Sequence, residues 1–215
     1  MPQRPLINHA LPVAPIFMGL DFSTQGLKAT LIDTAGQVLA DKSVSFDTDL
    51  PEFKTEGGAH RHADGLTVTA PPLMWVAALD LLLARMQKEN LPLAKVVAIS
   101  GSGQQHGSVY LRRGARSRLG ALDSRLALRD QLGDMFAFDT APVWMDSSTS
   151  KQCRARDIAL GGAQVVAELT GSRSYERFTG NQIAKLYQQH PEAYAATDHI
   201  ALVSSFTASD RKSVV

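Results

Sequence analysis

Four short stretches carry residue types suited to chemistry on a phosphate or a sugar. Gly19-Leu20-Asp21-Phe22-Ser23-Thr24-Gln25-Gly26 sets a carboxylate at the end of an apolar run and follows it with two hydroxyls and an amide. Backbone amides and hydroxyls in such a turn hold phosphate oxygens. A lone acid beside them orients a hydrated Mg²⁺, and together these offset the charge of phosphoryl transfer. The competing reading is an ordinary hairpin turn.

The second stretch, Ser100-Gly101-Ser102-Gly103-Gln104-Gln105-His106-Gly107-Ser108, also follows an apolar run. A dinucleotide fingerprint needs its third glycine where His106 stands, so that reading fails on spacing. The glycines instead let the backbone approach a ligand, and Gln105 and His106 present hydrogen-bonding groups suited to sugar hydroxyls. A merely solvated loop histidine is the plainer alternative. The third stretch, Pro142-Val143-Trp144-Met145-Asp146, ends in an acid. That acid reads either as a substrate-facing strand terminus or as the anion at the start of the next helix. In the fourth, Gly171-Ser172-Arg173-Ser174-Tyr175-Glu176-Arg177-Phe178-Thr179-Gly180, two arginines precede a helix. One is placed to bind an anion or hydroxyls, unless it pairs with Glu176. His60, His62 and Asp64 alternate as metal ligands on a strand face would, but Gly57-Gly58 before them and Gly65 after mark an exposed bend, so no metal is expected there.

Elements must hold these stretches in place. Ile16 to Asp21, Leu27 to Asp33 and Gln37 to Phe46 predict a three-stranded antiparallel meander, with Asp33-Thr34-Ala35-Gly36 as its second turn. Pro71-Pro72 predicts the start of a largely buried helix to about Gln87, interrupted mainly by Asp80 and Arg85. Val96-Val97-Ala98-Ile99 predicts an interior, parallel strand reached through that helix. Three antiparallel strands, a helix and a buried strand make an α/β order unlike an ordinary doubly wound sheet. Arg112 to Phe138 reads as a surface excursion with one short helix and no functional role. Thr149 with Gln152, and Thr179 with Gln182, have the spacing of capping boxes, and a short helix is expected from Pro191 through Tyr194.

Composition bounds the partners. Twenty-two Lys and Arg against 21 Asp and Glu leave a formal net charge of +1, with no surplus for a nucleic-acid backbone or an anionic membrane. The 215 residues, 44% hydrophobic and 20% charged, suffice for a globular core of one or two domains. A single cysteine, Cys153, builds no intrachain disulfide or thiolate metal site, which points to a reducing, cytoplasmic setting. Met1 to Ala14 is proline-rich without an unbroken apolar run and is expected to be a loose arm rather than a leader or an anchor.

The order of Asp21, Gln105-His106, Trp144-Met145-Asp146 and Arg177-Phe178-Thr179-Gly180 resembles the FGGY carbohydrate kinases, in particular their eukaryotic branch acting on xylulose. The similarity runs from about Gly19 to Ala208 and includes the strings Pro-Val-Trp-Met-Asp-Ser-Ser-Thr at 142–149 and Tyr-Glu-Arg-Phe-Thr-Gly-Asn-Gln-Ile-Ala-Lys at 175–185. It implies a ribonuclease-H-like α/β domain of the actin and hexokinase-like ATPase fold, a mixed sheet in which three antiparallel strands are followed by parallel strands and helices. Two such domains close over a cleft, the first holding sugar and the second adenine. The implied cofactors are ATP and Mg²⁺, the implied partner a small sugar. By resemblance, Asp21 (with Mg²⁺ through water), Ser23, Thr24 and Gln25 form the phosphate loop. His106, Gln105 and Arg177 contact sugar, Arg173 does not, and Asp146 lies near the sugar cleft.

The family's catalytic base is the aspartate of a Gly-Asp-Asn segment, and no such segment occurs in these 215 residues. The expectation is therefore the sugar-binding domain at 15–209, incomplete at its carboxyl end, without the ATP-binding domain and inactive alone. A kinase for a related ketose or polyol, or a sugar-binding module without catalysis, are the alternatives. Thr207 to Ser213 is expected to be too polar to extend a buried helix. Asp210 to Val215 is expected to be non-native, because codons of a common sequencing adapter spell the same six residues; a splice variant or a natural regulatory fragment is the alternative.

Overall fold

Alternation in β1 (Ile16–Phe22) turns Ile16, Met18, Leu20 and Phe22 inward and leaves Gly19 and Asp21 on the other face. This is seen in the computed structural model, which describes residues 14–209. β2 (Gly26–Ile32) pairs antiparallel with β1, and β3 (Val38–Ser45) with β2, so the expected meander forms. Its second turn is closed by Asp33, whose Oδ1 accepts from the amides of Ala35 and Gln37 at 2.8 and 2.9 Å. A one-turn helix, α1 (Phe46–Asp49), then leads through the short strands β4 (His60–Arg61) and β5 (Val68–Ala70) to α2 (Pro72–Lys88).

Helix α2 buries Met74 to Leu79, Leu82 and Met86 in the core that the inner sheet face lines. Its charged interruptions are both employed. The Arg85 guanidinium forks onto Asp49 at 2.7 and 3.0 Å, and Asp80 accepts from the amides of Leu128 and Arg129 at 2.9 and 2.8 Å. β6 (Val96–Gly103) lies parallel to β1, completing the sheet order β3-β2-β1-β6. The expectation of an interior strand needs correcting. Among the described residues β6 is a sheet edge and Val97 is 60% exposed, because only the face of the sheet under α2 is covered.

β7 (Ser108–Arg112) is followed by α3 (Ala115–Leu119) and α4 (Leu128–Leu132), where one helix was expected. Nor is this stretch only a surface excursion: Leu128, Leu132, Met135 and Phe136 enter the core. β8 (Ala141–Pro142) joins β4 and β5 in a second small sheet. Next come α5 (Ser150–Ala159), α6 (Ala163–Thr170), α7 (Thr179–Gln189) and α8 (Pro191–Ala195), then β9 (Thr197–Leu202), which pairs with β7. α9 (Val203–Ser209) ends the described chain. It buries Thr207 as well as Val203 and Phe206, so the first of the residues expected to be too polar for a buried helix face does join it. Of the arm expected over residues 1–14 all but the exposed Ala14, and the whole expected non-native tail at 210–215, lie outside the described residues. No described helix is long and apolar enough to cross a membrane.

Candidate active site

The loop at 23–25 is carried by the adjoining ends of β1 and β2. Asp21 stands on the open sheet face, where its Oδ1 accepts from the Ser102 hydroxyl of β6 at 2.9 Å. Ser23 closes the turn by donating to the Gly26 carbonyl at 3.0 Å. Behind the loop, the Phe46 amide donates to the Gln25 carbonyl at 3.0 Å. Gly58 approaches so closely that a Cβ there would sit 1.9 Å from the Thr24 carbonyl oxygen, and its φ of 77° favours glycine as well. Asp47 pins this contact by accepting from the amides of Gly57 and Gly58 at 2.7 and 3.0 Å and from the Thr55 hydroxyl at 2.7 Å. Burial works to raise the Asp47 carboxyl, but these hydrogen bonds outweigh it and hold the group below its ordinary range.

From the loop, contacts lead to the other predicted stretches. The Trp144 indole N–H donates to the Thr24 hydroxyl at 2.9 Å, while the ring remains 47% exposed. Its neighbour Val143 forms a bridge with Gly107, which packs against the Pro142 carbonyl. Beside Gly107, the His106 ring lies 5.4 Å from that of Phe178, which lies 5.2 Å from that of Tyr175. The Arg177 and Arg173 guanidinium carbons stand 4.8 and 4.3 Å from the centre of the Tyr175 ring. The reading of an arginine paired with Glu176 fails, since Glu176 accepts from the Ser150 hydroxyl and neither arginine joins an ion pair among the described residues. Burial, aided by the charge of Arg177, pushes the His106 pKa down and favours the neutral imidazole. Gln105 is exposed. Gln104, 8% exposed, has neither amide heteroatom hydrogen-bonded within the described residues.

Asp146 is 2% exposed and spends its oxygens inside the protein. Oδ2 accepts from the Val68 amide at 3.0 Å. Oδ1 accepts from the Ser148 amide and hydroxyl at 3.0 and 2.6 Å and from Gln182 Nε2 at 2.6 Å. Neither expected capping box forms. Thr149 does precede α5, but its hydroxyl donates to the Glu176 carbonyl at 2.6 Å. At α7 the residue before the helix is Phe178, and Gln182 turns to Asp146. Sequence reading missed Trp144 as a link, Asp47 as a clamp and Gln182 as an internal donor. The Gly57-Gly58 pair was the available signal for the clamp. His60 and His62 are engaged with the Phe53 carbonyl and the Thr69 hydroxyl at 2.7 and 3.0 Å. Asp64 binds Thr67 and Leu66 so firmly that its carboxyl falls to about 2.

The donor set fits a magnesium nucleotide. Asp21 is a single carboxylate at the loop mouth, and one carboxylate with water and phosphate oxygens is an ordinary Mg²⁺ environment. The loop backbone held by Gly58 and Asp47 leaves the Ser23 side chain and the Gln25 side chain exposed beside it.

No family profile matches the chain. Over 192 residues it is 54% identical to xylulose kinase of Mus musculus, covering 89% of this chain and 35% of that protein. Over 205 residues it is 47% identical to xylulose kinase 2 of Arabidopsis thaliana, covering 95% and 37%. The solved structure of xylulose kinase from Bifidobacterium adolescentis shares the fold with a TM-score of 0.63 and 20% identity, covering 90% of this chain and 33% of that one. The chain spans about a third of the length of these relatives. The actin and hexokinase-like fold, the motifs from Thr24 to Arg177 and the identity over nearly all of the chain to the amino-terminal portion of xylulose kinases agree: it belongs to the FGGY carbohydrate kinases.

Proposed function

We propose that these residues form the sugar-binding part of an ATP-dependent D-xylulose kinase, which transfers the terminal phosphoryl group of ATP to the terminal hydroxyl of the ketose in a cytoplasmic setting. The observation that supports this best is the run of contacts from Thr24 through Trp144, Val143 and Gly107 to His106 and Phe178, which links the loop at 23–25 to hydrogen-bonding groups suited to a polyhydroxylated substrate.

In this reading His106, Gln105 and Arg177 orient the sugar. A neutral imidazole both donates and accepts, as a hydroxyl partner requires. Asp21 would hold Mg²⁺ through water, and Ser23, Thr24 and Gln25 would hold the phosphates; the ion supplies charge neutralisation on the transferring group. Asp146 stands behind the sugar contacts, and none of the described residues is assigned to take the hydroxyl proton.

Titration calorimetry of the 215-residue chain with D-xylulose tests the reading. Binding is expected. His106→Ala should weaken it by about 0.5–1.5 kcal/mol and Arg177→Ala by about 1.5–3 kcal/mol, with Arg173→Ala milder. Wild-type affinity in both His106→Ala and Arg177→Ala would overturn the assignment. In a coupled ATPase assay the same polypeptide is expected to turn over no ATP with xylulose.

A further inference from the structure

The peptide that leads into Arg177 is held by side chains far more buried than Arg177 itself. The Glu176 carbonyl accepts from the Thr149 hydroxyl at 2.6 Å and from Gln182 Nε2 at 3.1 Å. The preceding carbonyl, of Tyr175, accepts from Asn181 Nδ2 at 2.7 Å. Thr149, Asn181, Gln182 and Asp146 are all buried. Two successive carbonyls upstream of α7 are thus bound by amides from the first turn of that same helix, beyond what forming the helix requires.

Orientation of the Gln182 amide is decided by Asp146. Its N–H₂ group serves both Asp146 Oδ1, at 2.6 Å, and the Glu176 carbonyl. A flipped amide would set its oxygen against a carboxylate and a carbonyl, both acceptors only. Asp146 is in turn fixed by the Val68 amide of β5 and by Ser148, and Lys185 Nζ donates to that serine hydroxyl at 2.5 Å. A long arginine side chain loses much rotamer freedom on binding, so fixing its backbone in advance lowers what a ligand must organise.

We infer that Gln182, oriented by Asp146, is a positioning residue for Arg177. It fixes the Glu176–Arg177 peptide so that the guanidinium stays on the Tyr175 ring, on the side of the loop where Phe178 meets His106. This rests on the sugar-kinase reading for its purpose, and it gives Asp146 a role that acts through Gln182 without touching the sugar.

A readout independent of sugar is available, because the charge of Arg177 bears on His106. The His106 titration is followed by NMR in the wild-type chain, Gln182→Leu, Arg177→Ala and the double variant, with thermal melts recorded for each. Gln182→Leu is expected to move the His106 pKa upward, in the same direction as Arg177→Ala, and to add nothing in the Arg177→Ala background. D-Xylulose binding should weaken about tenfold, again without additivity. A folded Gln182→Leu chain with the wild-type His106 titration, or shifts that add in the double variant, overturns the inference. Should Gln182→Leu unfold, Thr149→Val removes a donor from the same carbonyl with little change of shape. It is expected to raise the His106 pKa, and a wild-type titration there overturns the inference equally. Absence of xylulose binding in the wild-type chain refutes the sugar reading instead, and the titration still decides the role of Gln182.

Discussion

The imidazole of His106 and the phenyl ring of Phe178 face each other with centroids 5.4 Å apart and planes 35° from parallel, although they come from loops distant in sequence. Phe178 also meets Tyr175 at 5.2 Å, so one ring joins the two arms of the candidate sugar site. Phe178→Ala is expected to cost about 1–3 kcal/mol of stability through lost ring contacts and a partly filled void. Phe178→Leu should recover part of it. Urea unfolding with an unchanged slope measures both.

The lowered His106 pKa has a defined pH signature. Burial, then the Arg177 charge, favours neutral imidazole in the folded chain, so the unfolded chain binds more protons below its ordinary pKa of about 6.5. Stability from this group is therefore present above that value and lost as pH falls towards the folded pKa. Arg177→Gln should flatten the dependence below about pH 6.5. A wild-type pH profile in that variant would contradict the assignment of Arg177 as a cause.

Gly57 and Gly58 are adjacent, both with positive φ, yet they should respond unequally to alanine. At Gly57 a Cβ meets only the Gln25 side chain, at 3.6 Å, so backbone strain of about 1–2 kcal/mol is the expected cost. At Gly58 it collides with the Thr24 carbonyl, so the loop at 23–25 must move. Gly58→Ala should lose more stability than Gly57→Ala. It should also alter the amide exchange of Thr24 and Gln25, which Gly57→Ala should leave nearly as in wild type.

Periodicity made the meander, α2 and the parallel β6 legible, because each depends on local alternation and on Gly or Pro at its ends. It failed where a residue's partner is distant. Thr149 (with Gln152) and Gln182 (with Thr179) have cap-like spacing, but a buried carbonyl and the Asp146 carboxylate compete for them and win. The apolar start of β6 signals two covered faces, whereas the described residues cover one. The family motifs single out His106 and Arg177, which the structure brings beside the neighbouring rings of Phe178 and Tyr175 respectively. Local pattern does not reveal that Asp47 braces the loop at 23–25, since its partners beside the Thr55 hydroxyl are backbone amides, which look alike in any sequence.

Gln104 carries a buried amide with no partner for its nitrogen or its oxygen within the described residues. An unmet buried polar group costs about 1–3 kcal/mol. Gln104→Met, close in volume and unbranched, should therefore raise the melting temperature of this chain. A lower melting temperature would mean that the amide is satisfied in solution.

The two tryptophans differ sharply in surroundings: Trp75 is 1% exposed in the core, whereas Trp144 is 47% exposed and tied to the Thr24 hydroxyl. The chain thus carries its own optical gauge. Emission quenched by acrylamide will come almost wholly from Trp144, and because that indole touches the loop directly, its colour and lifetime should report loop occupancy without an attached dye. Trp144→Phe would silence the gauge and leave Trp75 to follow unfolding alone.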